Sequence, residues 1–426
     1  VITAGGAAPC VLVTGAAAGI GRAAALRLAR AGWRCLLVDA DAAALQRLVA
    51  GWPAACAAPQ TVVCDLTDAA QIARLAEALP PLDALVNNAG RSAGGTDALA
   101  GDDDGAAAQL LALNLAAPAR LVQACTPRLR SGARIVNLAS GAGLRAIPWR
   151  GLYSASKAGL IAQTLALAQA RPDWCVTALS PGFVRTELVQ GLIDSGRLRP
   201  AQAVAKIPLG RMAEPEDMAE ALCFLASPGA RPLSGQLLVL DGGSSVYGGS
   251  APLPAATGPA LPFDLPTALH CVDVDAPAWR DALNAREATA PAPASDAAYT
   301  AVLDGAALDA APGAVLDAVL RSARRFRAQH AAQASLTLLL PAPAPDTHWT
   351  QAGDAAAARM LIATLAAEWG AHGLRINALQ TASSTAPSDC LPLLDYIAGA
   401  RAQFLTGQVL QPGAARHDTN DKETSP

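Results

Sequence analysis

Short apolar runs alternate with longer helix-forming stretches along the first 240 positions. Cys10-Val-Leu-Val-Thr14 and Cys35-Leu-Leu-Val38 are rich in β-branched and aliphatic residues and show no polar alternation. That pattern predicts strands buried on both faces, as in a parallel sheet. Between them, Arg22-Ala-Ala-Ala-Leu-Arg-Leu-Ala-Arg30 reads as helix. Further apolar runs lead into Cys64-Asp65-Leu66, end at Leu85-Val86, and cover Ile135-Val-Asn-Leu-Ala139. Ala158 to Ala170 is a long apolar run that reads as helix.

The junction of the first strand and first helix is Thr14-Gly15-Ala-Ala-Ala18-Gly19-Ile20-Gly21. Strand, glycine turn and helix form the context in which backbone N–H groups cradle phosphate. Gly15 permits the tight turn, and Gly19 and Gly21 let a pyrophosphate approach the helix N-terminus. The second strand ends in Asp39, 18 residues past Gly21, close to the separation of about 20 expected for a ribose-binding carboxylate. Asp39 rewards free ribose hydroxyls and repels a 2′-phosphate. Positions 16 to 18 are all Ala, and Arg22 and Arg34 occupy neither the loop nor the strand end, so NAD is expected over NADP.

Tyr153-Ser-Ala-Ser-Lys157 opens the long helix. An i,i+4 spacing puts both side chains on one face. An ammonium beside a phenol favours the phenolate, which makes Tyr153 a candidate proton donor and acceptor.

Together these motifs resemble the short-chain dehydrogenase/reductase family. Its marks follow in order: the glycine loop; Asp65 after a third strand; Asn87-Asn88-Ala89-Gly90; Asn114; Ser140; Tyr153 and Lys157; Ser180-Pro181-Gly182-Phe183-Val184-Arg-Thr186; and Gly235-Gln-Leu-Leu-Val-Leu-Asp241-Gly-Gly. The resemblance spans residues 10 to 247 and implies a Rossmann-like doubly wound α/β fold. It implies that Gly15, Ala18, Gly19, Ile20, Asp39, Asp65, Leu66, Asn88, Ala89, Gly90, Tyr153, Lys157, Pro181, Gly182, Val184 and Thr186 hold the cofactor. It also implies hydride transfer between a secondary alcohol and a ketone. Tyr153 then acts as general acid/base, Ser140 holds the substrate oxygen, Lys157 bonds the nicotinamide ribose, and Asn114 supports a relay water. Two other readings stay open: a 3-oxoacyl-thioester reductase, and a nucleotide-binding regulatory protein without chemistry.

The substrate side is sparse in signals. Arg145, Trp149 and Phe183 join Ser140 and Tyr153 as candidate lining, within a loop region of mostly Leu, Ile, Val and Ala. Arg145 or Arg150 could clamp a carboxylate or simply face solvent. A small-molecule substrate of modest size is expected.

Composition excludes several classes. Net charge is −3, which leaves no nucleic-acid footprint. The five histidines all follow residue 269, so a histidine triad or His-rich zinc site cannot arise in the first half, and no metal is expected. Nine cysteines without a CxxC pair argue for a reducing compartment. No unbroken span of strongly apolar residues suggests a membrane helix, and no basic-then-apolar leader suggests secretion. The cytoplasm is the expected location.

Residues 248–262 form a Gly/Pro/Ala linker. Beyond it, residues 263–413 read as a second, truncated Rossmann-like copy, followed by a polar tail over 414–426. Ala355 to Asn377 resembles the Lys-bearing helix and following strand, and Leu405-Thr-Gly-Gln-Val-Leu-Gln-Pro-Gly413 echoes the run from Leu233. Aligned so, Gln351 and Ala355 stand where Tyr153 and Lys157 do, and no glycine loop follows residue 247. The expected arrangement is a pseudo-dimer within one chain, and a ligand-binding or regulatory second half is the competing view. The pseudo-dimer's halves would pack through the long helices, 104–130 and 153–170 against 313–330 and 355–370. Two chains would then form a homodimer resembling a tetramer of the family.

Overall fold

The computed structural model describes residues 8–92, 104–145, 147, 150–196, 198–289, 298–311, 313–342, 349–382 and 384–413. The first sheet is parallel and has seven strands: β1 (Cys10–Thr14), β2 (Arg34–Asp39), β3 (Gln60–Val63), β4 (Leu82–Asn87), β5 (Leu129–Leu138), β6 (Cys175–Pro181) and β7 (Leu237–Leu240). Their order is β3-β2-β1-β4-β5-β6-β7. Val13 pairs with Leu37 on one side and Val86 on the other. The chain builds outward from β1 in one direction, then returns and builds from β4 in the other. This reversal opens a crevice beyond the carboxyl ends of β1 and β4. All five residues of β1 are buried, as its unbroken apolar run requires.

A second parallel sheet holds β8 (Thr267–Val272), β9 (Tyr299–Asp304), β10 (Ala334–Pro341), β11 (Arg375–Thr381) and β12 (Val409–Leu410), in the order β12-β11-β10-β9-β8. These strands lie in simple sequential order with no reversal. The sheets share local detail. Gly235 N donates to Val176 O at 2.7 Å, and Gly407 N to Ile376 O at 2.8 Å; Ala178 N donates to Gln236 O at 3.0 Å, and Ala378 N to Gln408 O at 2.9 Å. Gly235 and Gly407 take φ of +76° and +74°, conformations that an L side chain resists. The first half has helices Glu187–Asp194, Pro200–Val204 and Pro215–Leu225 between β6 and β7. Between β11 and β12 the only α-helix among the described residues is Pro387–Ala398.

The two halves do not meet through their long helices, contrary to the sequence expectation. Helices Val315–Gln329 and Trp349–Trp369 pack on each other and against their own sheet, in a core confined to the second half. The junction instead uses helix Pro215–Leu225, the turn Pro228–Leu233 and Gly242 just past β7, set against helix Pro387–Ala398 and the segment after it. The sequence of Pro215–Leu225 explains this. Every residue from Asp217 to Leu225 is buried. A helix buried all round needs cover on two sides. Helix Gly19–Arg30 covers one side and the second half the other.

Phe224 stacks on Tyr396 with ring centroids 4.3 Å apart. The buried Glu220 carboxylate pairs with Arg27 from the first half and with Arg401 from the second, the latter at 2.7 Å. One apolar core runs through Met218, Phe224, Leu393 and Phe404 without a break between the sheets. The linker is held in place too. Leu253 N donates to Ala205 O, Thr257 N to Ala371 O, and Leu261 N to Gln403 Oε1. Within the second half, the buried Arg375 guanidinium donates to the carbonyls of Ile397, Ala398, Gly399 and Ala402. It thereby fixes the C-terminal end of helix Pro387–Ala398, whose last carbonyls lack intrahelical partners.

The stretch Gly105–Arg128, with mean hydropathy 1.2, is long and apolar enough to span a bilayer, which the sequence reading did not expect. Length and composition alone give that result. The stretch carries the buried Asn114 and packs on helix Gly151–Ala170 as a layer of the fold.

Candidate active site

The glycine loop brings backbone against backbone. Gly15 and Gly19 take φ of +61° and +50°. A Cβ at Gly21 would lie 2.0 Å from Gly15 O, and one at Gly15 would lie 2.8 Å from Ala89 Cα. Thr14 joins the layers, because its Oγ1 accepts from the backbone N–H groups of Asn88 and Ala89, each at 3.0 Å. Asn88 Nδ2 donates to the carbonyls of Thr14 and Gly15. The result is a close-packed backbone turn at the N-terminus of helix Gly19–Arg30, the kind of cradle that suits a pyrophosphate.

Gly15, Ala18, Gly19, Ile20, Asp39, Asp65, Leu66, Asn88, Ala89, Gly90, Ser140, Tyr153, Lys157, Pro181, Gly182, Val184 and Thr186 line one cleft of 440 Å³. That volume is within the range of small-molecule sites. Asp39 closes one corner, where its carboxylate accepts from Ala17 N at 3.0 Å and from Asp41 N at 3.1 Å. Asp65 accepts from Thr67 N and Thr67 Oγ1. The lining of this corner, Asp39, Ala40, Cys64, Asp65 and Leu66, holds two carboxylates and no cation.

Ser140 ends the run from β5, and its Oγ accepts from Ala142 N at 3.2 Å. Tyr153 and Lys157 face the cleft from helix Gly151–Ala170. Lys157 is buried and its Nζ donates to Leu138 O at 2.7 Å. Burial brings its ammonium down from 10.5 to about 8, since desolvation disfavours charge. Gly90 passes directly above, and a Cβ there would stand 3.5 Å from Lys157 Nζ and 3.3 Å from Asn114 Oδ1. Asn114 does not line the cleft. It lies buried in a π-helical turn, Ala112–Ala116, where it accepts from Arg91 N and donates to Arg91 O. The local widening that such a turn gives is common at functional sites.

The position of Lys157 has a consequence for stability. In the unfolded chain the amine keeps its proton up to 10.5, whereas the folded protein releases it near 8. The unfolded state therefore binds more protons between those values, and this group makes stability rise with pH across that window. Urea unfolding at pH 8 and pH 10 should show the rise in the parent protein, and Lys157→Met should remove that part of it. An identical pH slope in the two proteins would show that the amine is not desolvated.

Arg145 is exposed and donates to Ser244 O at 3.3 Å. Phe183 stands just past Gly182 and is 38% exposed. Neither lines the cleft. Arg150 lies 5.8 Å from the Tyr153 ring centroid. Trp149 lies outside the described residues.

Sequence reasoning missed Glu187. Its carboxylate accepts from Gly19 N at 3.0 Å and pairs with Arg22 at 2.9 Å, so it meets the positive end of helix Gly19–Arg30. The only signal was an acidic residue right after Thr186, in the first turn of helix Glu187–Asp194. A buried chain under the site was also missed: Asn87 Nδ2 donates to Asn137 Oδ1 at 2.8 Å, and Asn137 Nδ2 to Thr164 Oγ1 at 2.9 Å.

Residues 15–245 match a family model described as enoyl-(acyl carrier protein) reductase. An uncharacterized short-chain type dehydrogenase/reductase of Sinorhizobium fredii is 38% identical over 239 residues; the match covers 55% of this chain and 43% of that protein. The galactitol 2-dehydrogenase (L-tagatose-forming) of Cereibacter sphaeroides is 36% identical over 250 residues, covering 56% of this chain and 95% of that one. Among solved structures, a variant actinorhodin polyketide ketoreductase with NADPH shares 30% identity at a TM-score of 0.52, covering 56% of this chain and 98% of that chain.

Proposed function

The chain belongs to the short-chain dehydrogenase/reductase family over residues 15–245, and from that premise we propose that it interconverts a secondary alcohol and a ketone with NAD(H). The observation that carries this reading is the convergence of Ser140, Tyr153 and Lys157 on the cleft that holds the glycine cradle. A nicotinamide, when bound, supplies hydride exchange with the substrate carbon. The protein's own groups do the rest. Tyr153 takes the alcohol proton in oxidation and returns it in reduction. The Ser140 hydroxyl holds the substrate oxygen toward the phenol. Lys157, held through Leu138 O, places its amine on the same cleft as Tyr153. Asn114 braces the Arg91 backbone beside Gly90, above Lys157. A 3-oxoacyl thioester, itself a ketone, would be handled by the same groups. A purely regulatory nucleotide binder would have no use for a proton relay.

The cofactor preference rests on Asp39. Its carboxylate, beside Asp65, meets the corner where a 2′-phosphate would sit, and no cation lines that corner. Binding of NAD is expected to exceed that of NADP by at least tenfold, and Asp39→Ala should narrow the gap. Titration calorimetry of both proteins with both nucleotides checks this. Equal affinities in the parent protein would remove the preference.

The second half is read as a truncated relative of the first. Removing the two outer strands β2 and β3 from the first sheet leaves β1-β4-β5-β6-β7, a sequential order like that of the second sheet. The repeated Gly235/Gly407 hydrogen bonds support that equivalence. Without a reversal of strand order there is no crevice for a nucleotide. One chain then serves as its own pseudo-dimer. Helices Gly151–Ala170 and Trp349–Trp369, with Leu165 and Met360 exposed, stay free of the internal junction and suit the pairing of two chains.

A further inference from the structure

Eight large apolar side chains are exposed among the described residues, and four of them sit on the two segments that flank the catalytic groups. Leu144 (44% exposed) and Ile147 (45%) lie on the connection from Ser140 to Tyr153. Phe183 (38%) and Leu188 (48%) follow Pro181. Both segments leave from one place, since a Cβ at Gly141 would stand 4.0 Å from Pro181 O. Leu188 and Val189 line the cleft together with Ser140 and Tyr153.

Of the charged groups on these segments, Arg150 lies 5.8 Å from the Tyr153 ring centroid, and the others are engaged elsewhere. Arg145 reaches Ser244 O. Arg185 pairs with Glu214 at 3.2 Å. Glu187 binds Gly19 N and Arg22. A polyol needs several polar groups converging on its hydroxyls, because each hydroxyl stripped of water without a partner is costly. These segments offer few, whereas they hold enough apolar surface to seat a hydrocarbon arm.

We propose that the cleft takes a ketone or secondary alcohol with an extended apolar substituent, seated against Leu188 and Val189 and extending toward Leu144, Ile147 and Phe183, rather than a sugar alcohol. This rests on the oxidoreductase reading and narrows it. The occupant follows from continuity with the cleft: Leu188 and Val189 share its lining with Ser140 and Tyr153, so a substrate oxygen held by those two groups has apolar surface beside it.

The test is a kcat/KM series for methyl ketones from butanone to decanone, with NADH and with NADPH, beside oxidation of galactitol and threitol. The expected result is a rise of about two- to fourfold per added methylene until the rim is filled, with the polyols poor. Phe183→Ser and Leu188→Ser should each flatten that slope. Because both side chains are exposed, these variants keep the fold, and nucleotide binding by fluorescence verifies it. A flat series, or polyols preferred to the longer ketones, overturns the proposal and leaves the oxidoreductase reading standing. No turnover of any member with either nucleotide removes that reading, and this inference with it.

Discussion

Replacing Tyr153 by Phe is expected to lower turnover by roughly 10²–10⁴-fold, the usual contribution of a positioned acid/base group. The substitution keeps the ring in helix Gly151–Ala170 and removes only the oxygen. Ser140 and Lys157 stay in place, since Ser140 is anchored through Ala142 N and Lys157 through Leu138 O. The loss should therefore fall on kcat and kcat/KM together, as expected when a transition-state interaction is deleted. Parallel kinetics and circular dichroism of the two proteins decide the matter. A Phe variant within a few-fold of the parent would take the proton transfer away from Tyr153.

Residues 1–247 expressed alone are expected to aggregate, or to associate through the surface stripped of its cover. Truncation exposes the outer side of helix Pro215–Leu225, uncovers Phe224 by removing Tyr396, and leaves Glu220 without Arg401. A bare apolar patch of that kind drives association, and a buried carboxylate that loses a partner is costly. Light scattering of the fragment and of the full chain provides the measurement. The full chain is expected at twice its own mass. A monodisperse, fully active, monomeric fragment would show that the second half is not needed as a partner.

Much of the candidate site was legible because it is made of short-range pattern. The turn at Gly15 and Gly19 needs positive φ, so the glycines had to appear in the sequence. Tyr153 and Lys157 are one helical turn apart, so their common face follows from spacing alone. The buried strands showed as apolar runs because both their faces are covered. Glu187, Asn137 and Thr164 were not legible, because each acts on a partner far along the chain. Gly19 is 168 residues from Glu187, and Asn87 is 50 from Asn137.

The sequence by itself determined the buried strands that begin the first sheet, and the cradle. Those features are written in local periodicity and in residues that a particular backbone conformation demands. Tertiary structure alone decided how the halves join. Both the long helices and Pro215–Leu225 carry apolar faces, and composition cannot rank two apolar faces as partners. The choice depends on which surface is complementary in shape, here Phe224 stacked on Tyr396 and Glu220 between Arg27 and Arg401. Such complementarity arises only when residues about 180 positions apart are brought together, as Arg401 and Glu220 are, 181 residues apart.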